Sequence, residues 1–231
     1  LAEFCAGLPG QRIASVDRRG KFIILHLSSG ALLIHLRMTG RLYVASDEAP
    51  VDTRFLRATL DLSSQRLLFV DMRKFGRLYW VPAAEAVLQR LGAEPLSLDF
   101  TPQGFHGLLR RRRGAIKAAL LDQTLVAGVG NIYADEALHA ACIAPQRSAC
   151  SLDEQEAVAL HRAIRRELER AIGNRGTTLS DYRDGRGQAG EHRNHLRVYG
   201  RAGEPCCRCG APIERARIGG RSSYHCPRCQ R

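Results

Sequence analysis

The sequence predicts an α+β protein, with a β-rich N-terminal part followed by helices and a cysteine-rich hairpin. Seven short apolar or alternating runs, separated by turn residues, occupy the first 82 residues. Apolar positions take on helical spacing after Pro82. Five of the eight cysteines fall within the last 26 residues. These three patterns divide the chain into parts of different structural class.

The N-terminal runs predict the strands of an antiparallel β protein. The clearest is the run 56–62, where Leu56, Ala58, Leu60 and Leu62 alternate with polar residues. Seven strands at this spacing are typical of a sandwich or a barrel. The predicted strands span residues 12–18, 21–27, 31–36, 41–44, 56–62, 67–71 and 77–81.

The remainder predicts helices. The most distinct start is Ser151 to Glu154, which has the form of a capping box and opens a long amphipathic run ended by Gly173. Thr101 and Pro102 are typical of an N-cap and a first helical position. The predicted helices span residues 83–91, 102–113, 115–124, 131–142 and 151–173. We expect domain boundaries at 1–82 (β domain), 83–100 (short helix and linker), 101–195 (helical domain with a loop) and 196–231 (cysteine-rich hairpin).

Net charge points to an anionic partner. The 231 residues carry a formal charge of +12 with a pI near 9.9, and residues 174–231 hold +7 of it, as 12 arginines against 5 acidic residues. Such a surplus is typical of proteins that meet nucleic acid or an anionic surface. No apolar run approaches the roughly 18 residues of a membrane span, so we expect no membrane insertion.

The C-terminal cysteines have the spacing of a zinc site. Cys206 and Cys209 form one CxxC pair, and Cys226 and Cys229 form a second pair sixteen residues later. Four thiolates make a closed tetrahedral shell, so one structural Zn²⁺ is expected. Two disulfides or free thiols are the alternative, and Cys207 could compete with Cys206. Because no secretory signal pattern opens the chain, we expect a reducing, cytoplasmic compartment.

Several short motifs follow one another along the chain. They are HLRMTG (35–40), DMRKFG (71–76), GAEPL (92–96), AIK (115–117), GVGNIYA (128–134) and GTTL (176–179). The four cysteines belong to the same set, with VYGRAGEPC at 198–206. In this order the motifs together resemble the formamidopyrimidine-DNA glycosylase family. The Arg73-Lys74-Phe75 sequence favours this branch over the related endonuclease VIII branch.

The resemblance implies a β-sandwich, a helix–two-turn–helix domain and a zinc-finger hairpin. It also implies base-excision repair: removal of oxidised purines such as 8-oxoguanine and formamidopyrimidines from double-stranded DNA, followed by β,δ-elimination at the abasic site. We expect a monomeric bacterial protein associated with the nucleoid.

The family's nucleophile is an N-terminal proline followed by glutamate. An α-amine titrates well below a lysine, so it can attack the sugar as a free base and form a Schiff base. This sequence begins with Leu1 instead of that pair. We therefore expect a truncated sandwich that lacks the glycosylase step in this chain.

The resemblance also assigns site residues. Lys21 falls where the family has a proton donor for elimination, and Arg221 where it has a phosphate-gripping arginine. The predicted DNA contacts are Met38, Arg54, Arg73, Lys74, Phe75, Arg113, Lys117 and Asn131. Met38, Arg73 and Phe75 form the wedge that fills the space of a flipped base. The loop 181–195, which corresponds to the family's lesion cap, has Gly190-Glu191-His192 where an aromatic residue is usual.

Each assignment has a plainer alternative. Lys21 could be a solvated strand-edge lysine, Arg221 one more surface arginine, and Met38 and Phe75 core residues. For the whole chain, the alternatives are a non-catalytic, zinc-dependent protein that recognises lesions or abasic sites, and a zinc-ribbon protein that binds RNA or associates with the ribosome. The latter explains the charge and the cysteines but not the ordered motifs.

Overall fold

Two antiparallel sheets form the β-rich part of the protein, in a computed structural model that describes residues 2–45 and 52–231. Leu1, on which the expectation about the N-terminus rests, lies outside the described residues. The first sheet has the order β1-β2-β3-β7 and the second the order β4-β6-β5. The strands are β1 (Ile13–Arg19), β2 (Phe22–Leu27), β3 (Ala31–His35), β4 (Gly40–Ala45), β5 (Leu56–Asp61), β6 (Arg66–Asp71) and β7 (Arg77–Val81).

Side-chain alternation packs the two sheets face to face. Leu32 and Ile34 of β3 share one core with Leu67 and Phe69 of β6. The intervening Leu33 faces the opposite side of the first sheet. Because β3 is covered on both faces, its apolar run is continuous rather than alternating. The sheets therefore form a sandwich, one of the two arrangements that the strand spacing allows.

Short helices flank the sandwich. The helix α1 (Ala2–Gly7), which the sequence does not predict, contributes Phe4 to the inter-sheet core. The helix α2 (Glu85–Leu88) covers the other face of the first sheet through Val87 and Leu88. Six residues are too few to show helical periodicity, which explains why α1 is absent from the prediction.

A separate core holds the longer helices. These are α3 (Pro102–Leu109), α4 (Ile116–Leu121), α5 (Asn131–Ala140) and α6 (Glu154–Gly173). Thr101 caps α3 as predicted, with its hydroxyl accepting from the amide of Gly104 at 3.1 Å. The capping box of α6 begins at Asp153 rather than Ser151. Asp153 accepts from the Glu156 amide at 2.8 Å, and the Glu156 carboxylate accepts from the Asp153 amide at 3.1 Å.

The C-terminal hairpin pairs β8 (Glu214–Ile218) with β9 (Arg221–His225). Ile218 faces Arg221 across the turn, so Gly219 and Gly220 alone form the connection. Their φ angles are 55° and 76°, which a two-residue turn between twisted strands requires. Within the described residues, no helix is both long and apolar enough to cross a membrane.

The chain divides into two compact units. One contains the chain up to Arg90 together with Arg175–Arg193, and the other contains Leu91–Asn174 with Asn194–Arg231. The segment Arg175–Arg193 therefore packs with the β unit, whereas the sequence boundaries group all of it with the helices. Its contacts explain this: the Val44 amide donates to Gly185 O at 2.9 Å, and Arg41 pairs with Asp181 at 3.6 Å.

Candidate DNA interface and metal centre

The predicted zinc ligands converge on one point. The sulfurs of Cys206, Cys209, Cys226 and Cys229 all lie within 4.8 Å of one another. Cys206 Sγ is 3.9 Å from Cys229 Sγ, and Cys209 Sγ is 3.4 Å from Cys226 Sγ. A tetrahedral shell with Zn–S bonds of about 2.3 Å separates its sulfurs by about 3.8 Å. The four residues therefore fit Zn²⁺, and their separations are far longer than a disulfide bond.

Burial also decides which of two adjacent cysteines is the ligand. Cys206 is buried and points into the cluster, whereas Cys207 is exposed. The four ligands pack with Val198 and Ile213 in a small apolar core. A shell that is complete and surrounded by packed side chains holds the metal in a structural role.

A fully buried ion pair lies beneath the hairpin. Lys117 of α4 and Asp135 of α5 both have 0% exposed side chains, and Lys117 Nζ lies 2.8 Å from Asp135 Oδ1. Burial raises the pKa of Asp135 to about 6 and lowers the pKa of Lys117, each against the effect of its partner's charge. The predicted DNA contact Lys117 is therefore enclosed by protein.

Both members of the pair hold strand β9. Lys117 Nζ donates to Ser222 O at 2.7 Å. Asp135 accepts from Ser223 Oγ at 3.0 Å and from the Tyr224 amide at 2.9 Å. Asn131, at the start of α5, adds a bond from Nδ2 to Ser222 O at 3.0 Å. The strand that begins with Arg221 is thus fixed to two helices next to its turn.

Arg221 itself lies on the surface, directly after the Gly219-Gly220 turn. The anchored hairpin positions the backbone of this arginine, and its side chain is open to solvent. A guanidinium in such a place can bind a phosphate through two donors.

A second buried carboxylate fixes the segment that leads into the finger. Glu136 accepts from the amides of Arg197, Val198 and Tyr199 at 2.9, 3.0 and 2.9 Å. Burial raises the pKa of Glu136, while these three bonds oppose the shift. The neighbouring carboxylate Glu167 pairs with Arg197 at 3.3 Å. Sequence reasoning missed both acids, because the amides that Glu136 binds and the Arg197 that pairs with Glu167 lie 30 or more positions away along the chain.

In the β unit, one buried aspartate joins the two turns that carry the predicted wedge. Asp71 accepts from Thr39 Oγ1 at 2.5 Å, from the Gly76 amide at 2.7 Å and from the Arg73 amide at 3.2 Å. Burial acts to raise the pKa of Asp71, but these hydrogen bonds outweigh it and hold the pKa below its usual value. Gly76 is required at its position, since a Cβ there would collide with the Phe69 ring.

The wedge side chains are exposed. Met38 is 60% and Phe75 47% exposed, so neither is a core residue. The Arg73 guanidinium lies over the Phe75 ring, 4.7 Å from its centre. Exposed large apolar side chains on hydrogen-bonded turns are available to a partner.

Two residues in these turns adopt left-handed backbone. Arg37, next to Met38, has a φ of 55°, and Lys74, next to Phe75, has a φ of 58°. Non-glycine residues in this region carry strain of roughly 1–2 kcal/mol each. The surrounding hydrogen bonds of Asp71 hold the turns in this form.

The other predicted contacts lie at the surface. Arg113 and Lys21 are exposed, the latter at the turn between β1 and β2. Arg54 is exposed as well, but its guanidinium is held by Asp52, with Nη2 2.7 Å from Oδ2. Burial, with the charges of Arg37 and Lys21, lowers the pKa of His35 to about 4, so this histidine is neutral at neutral pH.

The loop that resembles the family's lesion cap is internally bonded. Asp184 accepts from the amides of Arg186 and Gln188 at 2.9 and 2.8 Å. Arg175 reaches across to pair with Glu191 at 2.9 Å. Gly190 approaches the backbone of Gly176 so closely that a Cβ would collide with its carbonyl oxygen. The loop is therefore closed at its base.

Three family descriptions match successive parts of the chain. Residues 1–78 match the formamidopyrimidine-DNA glycosylase N-terminal domain, and residues 91–183 match the H2TH domain of the same enzymes. Residues 203–231 match the zinc finger found in FPG and IleRS. Together with the cysteine geometry, this match shows a structural zinc.

Similar proteins agree along the chain. A formamidopyrimidine-DNA glycosylase of Pelotomaculum thermopropionicum is 48% identical over 100% of this chain and 86% of its own. The crystal structure of MutM (Fpg) from Thermus thermophilus is 46% identical, with a TM-score of 0.88 over 96% of this chain and 84% of that one. Lactococcus lactis Fpg, solved with DNA containing an abasic site, is 35% identical, with a TM-score of 0.90 over 100% and 86%. The chain belongs to the formamidopyrimidine-DNA glycosylase family.

Proposed function

We propose that this protein binds double-stranded DNA at oxidised purines and abasic sites, as the DNA-repair glycosylases of its family do. The observation that carries the proposal is the exposed Met38 and Phe75 pair on turns that Asp71 joins. Extruding a base costs a few kcal/mol of stacking and pairing. Apolar side chains that enter the stack compensate part of that cost. Arg73, stacked on Phe75, adds a cation beside the vacated position.

Phosphate contacts are proposed to come from the helical unit and the finger. The helix α5 begins at Asn131 after Gly130, which supplies no side chain to cap its first amides. Such a helix start attracts an anion. The exposed Arg113 and Arg221 supply cations, whereas Lys117 is proposed to act by holding β9 under Arg221.

The proposed chemistry is base excision followed by β,δ-elimination. An amine attacks C1′ of the sugar, the base leaves, and the resulting iminium makes the neighbouring C–H acidic enough for the strand to break. Lys21 is proposed to donate a proton or to hold the flanking phosphate. The attacking amine of the family belongs to a proline that precedes glutamate at the N-terminus. The residues named above are proposed to bind the DNA around that amine.

Binding is tested by fluorescence anisotropy with a duplex that carries a tetrahydrofuran abasic analogue and with its undamaged counterpart. We expect tighter binding to the abasic duplex, with affinity that falls steeply as salt rises. Phe75→Ala should reduce the preference for the abasic duplex and leave the salt slope unchanged. Met72→Ala, at a neighbouring exposed apolar residue, is the matched control. Equal affinity for both duplexes, or a flat salt response, would contradict the proposal.

Phosphate gripping by Arg221 has its own test. Arg221→Ala should weaken binding to both duplexes and lower the salt slope by about 1. Arg228→Ala removes another exposed arginine of the same finger and should leave the slope almost unchanged. Equal effects of the two variants would mean that the finger contributes only diffuse charge.

Chemistry is tested by borohydride trapping on an 8-oxoguanine duplex. The chain extended by the family's N-terminal segment, beginning with proline and glutamate, should be trapped as a covalent species. The 231 residues alone are the control, and trapping at the same rate would show that another amine serves as nucleophile. No trapping by the extended chain, despite binding, would favour a protein that only recognises lesions.

A further inference from the structure

A buried histidine lies against the metal centre. His139, in the last turn of α5, is fully buried, and its Nε2 is 3.5 Å from Cys206 Sγ. The amide of Arg208 donates to the same sulfur at 3.5 Å. The imidazole is outside the four-cysteine pattern, and neither the zinc shell nor the proposed DNA contacts require it.

The surroundings of the ring decide where its proton resides. His139 Nδ1 is buried and has no hydrogen-bond partner among the described residues. A neutral imidazole carries one N–H and one lone pair. A proton on Nδ1 would leave a buried donor unpaired and would direct the Nε2 lone pair at a sulfur that is itself rich in electrons. A proton on Nε2 points at the sulfur instead.

We infer that His139 donates its Nε2–H to the Cys206 thiolate and thereby strengthens zinc binding from helix α5. Four thiolates around Zn²⁺ leave a net charge of −2 in a buried place, and each donor directed at a sulfur stabilises that charge. Removal of such an outer partner costs about 10- to 100-fold in metal affinity in other metal sites.

The same face of α5 makes the other contacts with the finger. Asn131 bonds Ser222 O, Asp135 bonds Ser223 and Tyr224, and His139 follows at the next four-residue interval. Residues four apart lie on one side of a helix. The metal shell and strand β9 are thus both attached to α5, so the metal contributes to the order of the whole contact.

Zinc competition with a chromogenic chelator tests the inference. His139→Phe keeps a ring of similar size but no donor, and we expect about 10- to 100-fold weaker zinc binding. His139→Gln keeps an N–H donor at a similar distance from the backbone and should restore most of the affinity. His161→Phe is the matched control, since His161 is also buried and bonds Phe100 O at 2.6 Å, away from the cysteines. Equal zinc affinity of His139→Phe and the unaltered protein would overturn the inference.

Two spectroscopic measurements use the unaltered protein, so their results do not depend on whether a variant folds. In the protein loaded with ¹¹³Cd²⁺, a scalar coupling between the metal and Hε2 of His139 is expected across the hydrogen bond. A ring protonated at Nδ1 would refute the assignment. In the Co²⁺-loaded protein, the visible absorption should be that of four sulfur ligands. The pattern of three sulfurs and one nitrogen would instead make His139 a ligand in place of a cysteine, which contradicts a donor role.

Discussion

Replacing Lys117 by methionine isolates the contribution of the buried ion pair. Methionine has a similar length and no charge, so the change removes the cation and opens little cavity. Asp135 then loses the ammonium 2.8 Å away but retains its bonds from Ser223 and Tyr224. Breaking a buried pair in this way costs about 3–5 kcal/mol when the remaining charge cannot be neutralised.

Asp135 can be neutralised by binding a proton, and this gives the loss a pH dependence. Its pKa in the folded protein is already raised to about 6, and removal of the Lys117 charge, which lowers it, moves it further up. A group whose pKa is higher in the folded protein than in the unfolded chain stabilises the fold at pH values below its unfolded pKa. This stabilisation is lost as pH rises through the pKa of the folded protein. The variant should therefore continue to lose stability above about pH 6, by about 1.4 kcal/mol per pH unit. By about pH 8 the difference from the unaltered protein grows by at most about 3 kcal/mol, the limit that applies while Asp135 stays protonated in the variant.

Hydrogen exchange of the Tyr224 amide measures this loss locally, since that amide donates to Asp135 Oδ2. Between about pH 6 and about pH 8, the ratio of the protection factors of the unaltered protein and the variant should grow by up to about 100-fold. Arg162→Met, on the exposed face of α6, should change the protection little at either pH. A difference between Lys117→Met and the unaltered protein that stays constant over this pH range would refute the reasoning.

Three further predictions concern the other buried groups. Cys226→Ser should release zinc and abolish protection in the finger; stoichiometric zinc in the purified variant would contradict the ligand assignment. Glu136→Gln should destabilise the helical unit by about 1–3 kcal/mol, because one of the amides that the carboxylate binds loses its charged acceptor; unchanged exchange at Val198 would exclude the role. At pH values above the ordinary pKa of aspartate, Asp71→Asn should loosen both turns that carry the predicted wedge residues. The unaltered protein should itself lose this contribution as pH falls through the lowered pKa of Asp71, and a variant with the same acid unfolding curve would disprove it.

Local signals in the sequence predicted most of the fold. Each of the seven strands lies within a residue or two of its predicted bounds, because alternation and turn residues are properties of short segments. The metal centre was predicted for the same reason, since each CxxC pair is local. The capping box begins at Asp153, two residues later than predicted. Serine and aspartate are both favoured at N-caps, so only the backbone conformation decides between Ser151 and Asp153.

Long-range pairing could not be predicted. Asp135 meets Ser223 and Tyr224 across 88 and 89 positions, and no local pattern marks such a partner. Lysine is a residue type that often contacts phosphate. Lys117, however, is buried and paired with Asp135, which only folding brings next to it. The attachment of Arg175–Arg193 to the β unit is of the same kind, because it depends on contacts with β4 rather than on the sequence of the loop.

If the turns that Asp71 joins insert into DNA as proposed, their existing order has a consequence for the kinetics of the search for lesions. Turns that are already ordered lose little conformational entropy when they meet DNA, so the barrier to insertion lies mainly in the duplex. The rate of insertion then differs between intact and damaged sites because their base pairs open with different ease. Under the proposed function, the protein would therefore test the deformability of the DNA before it contacts the lesion.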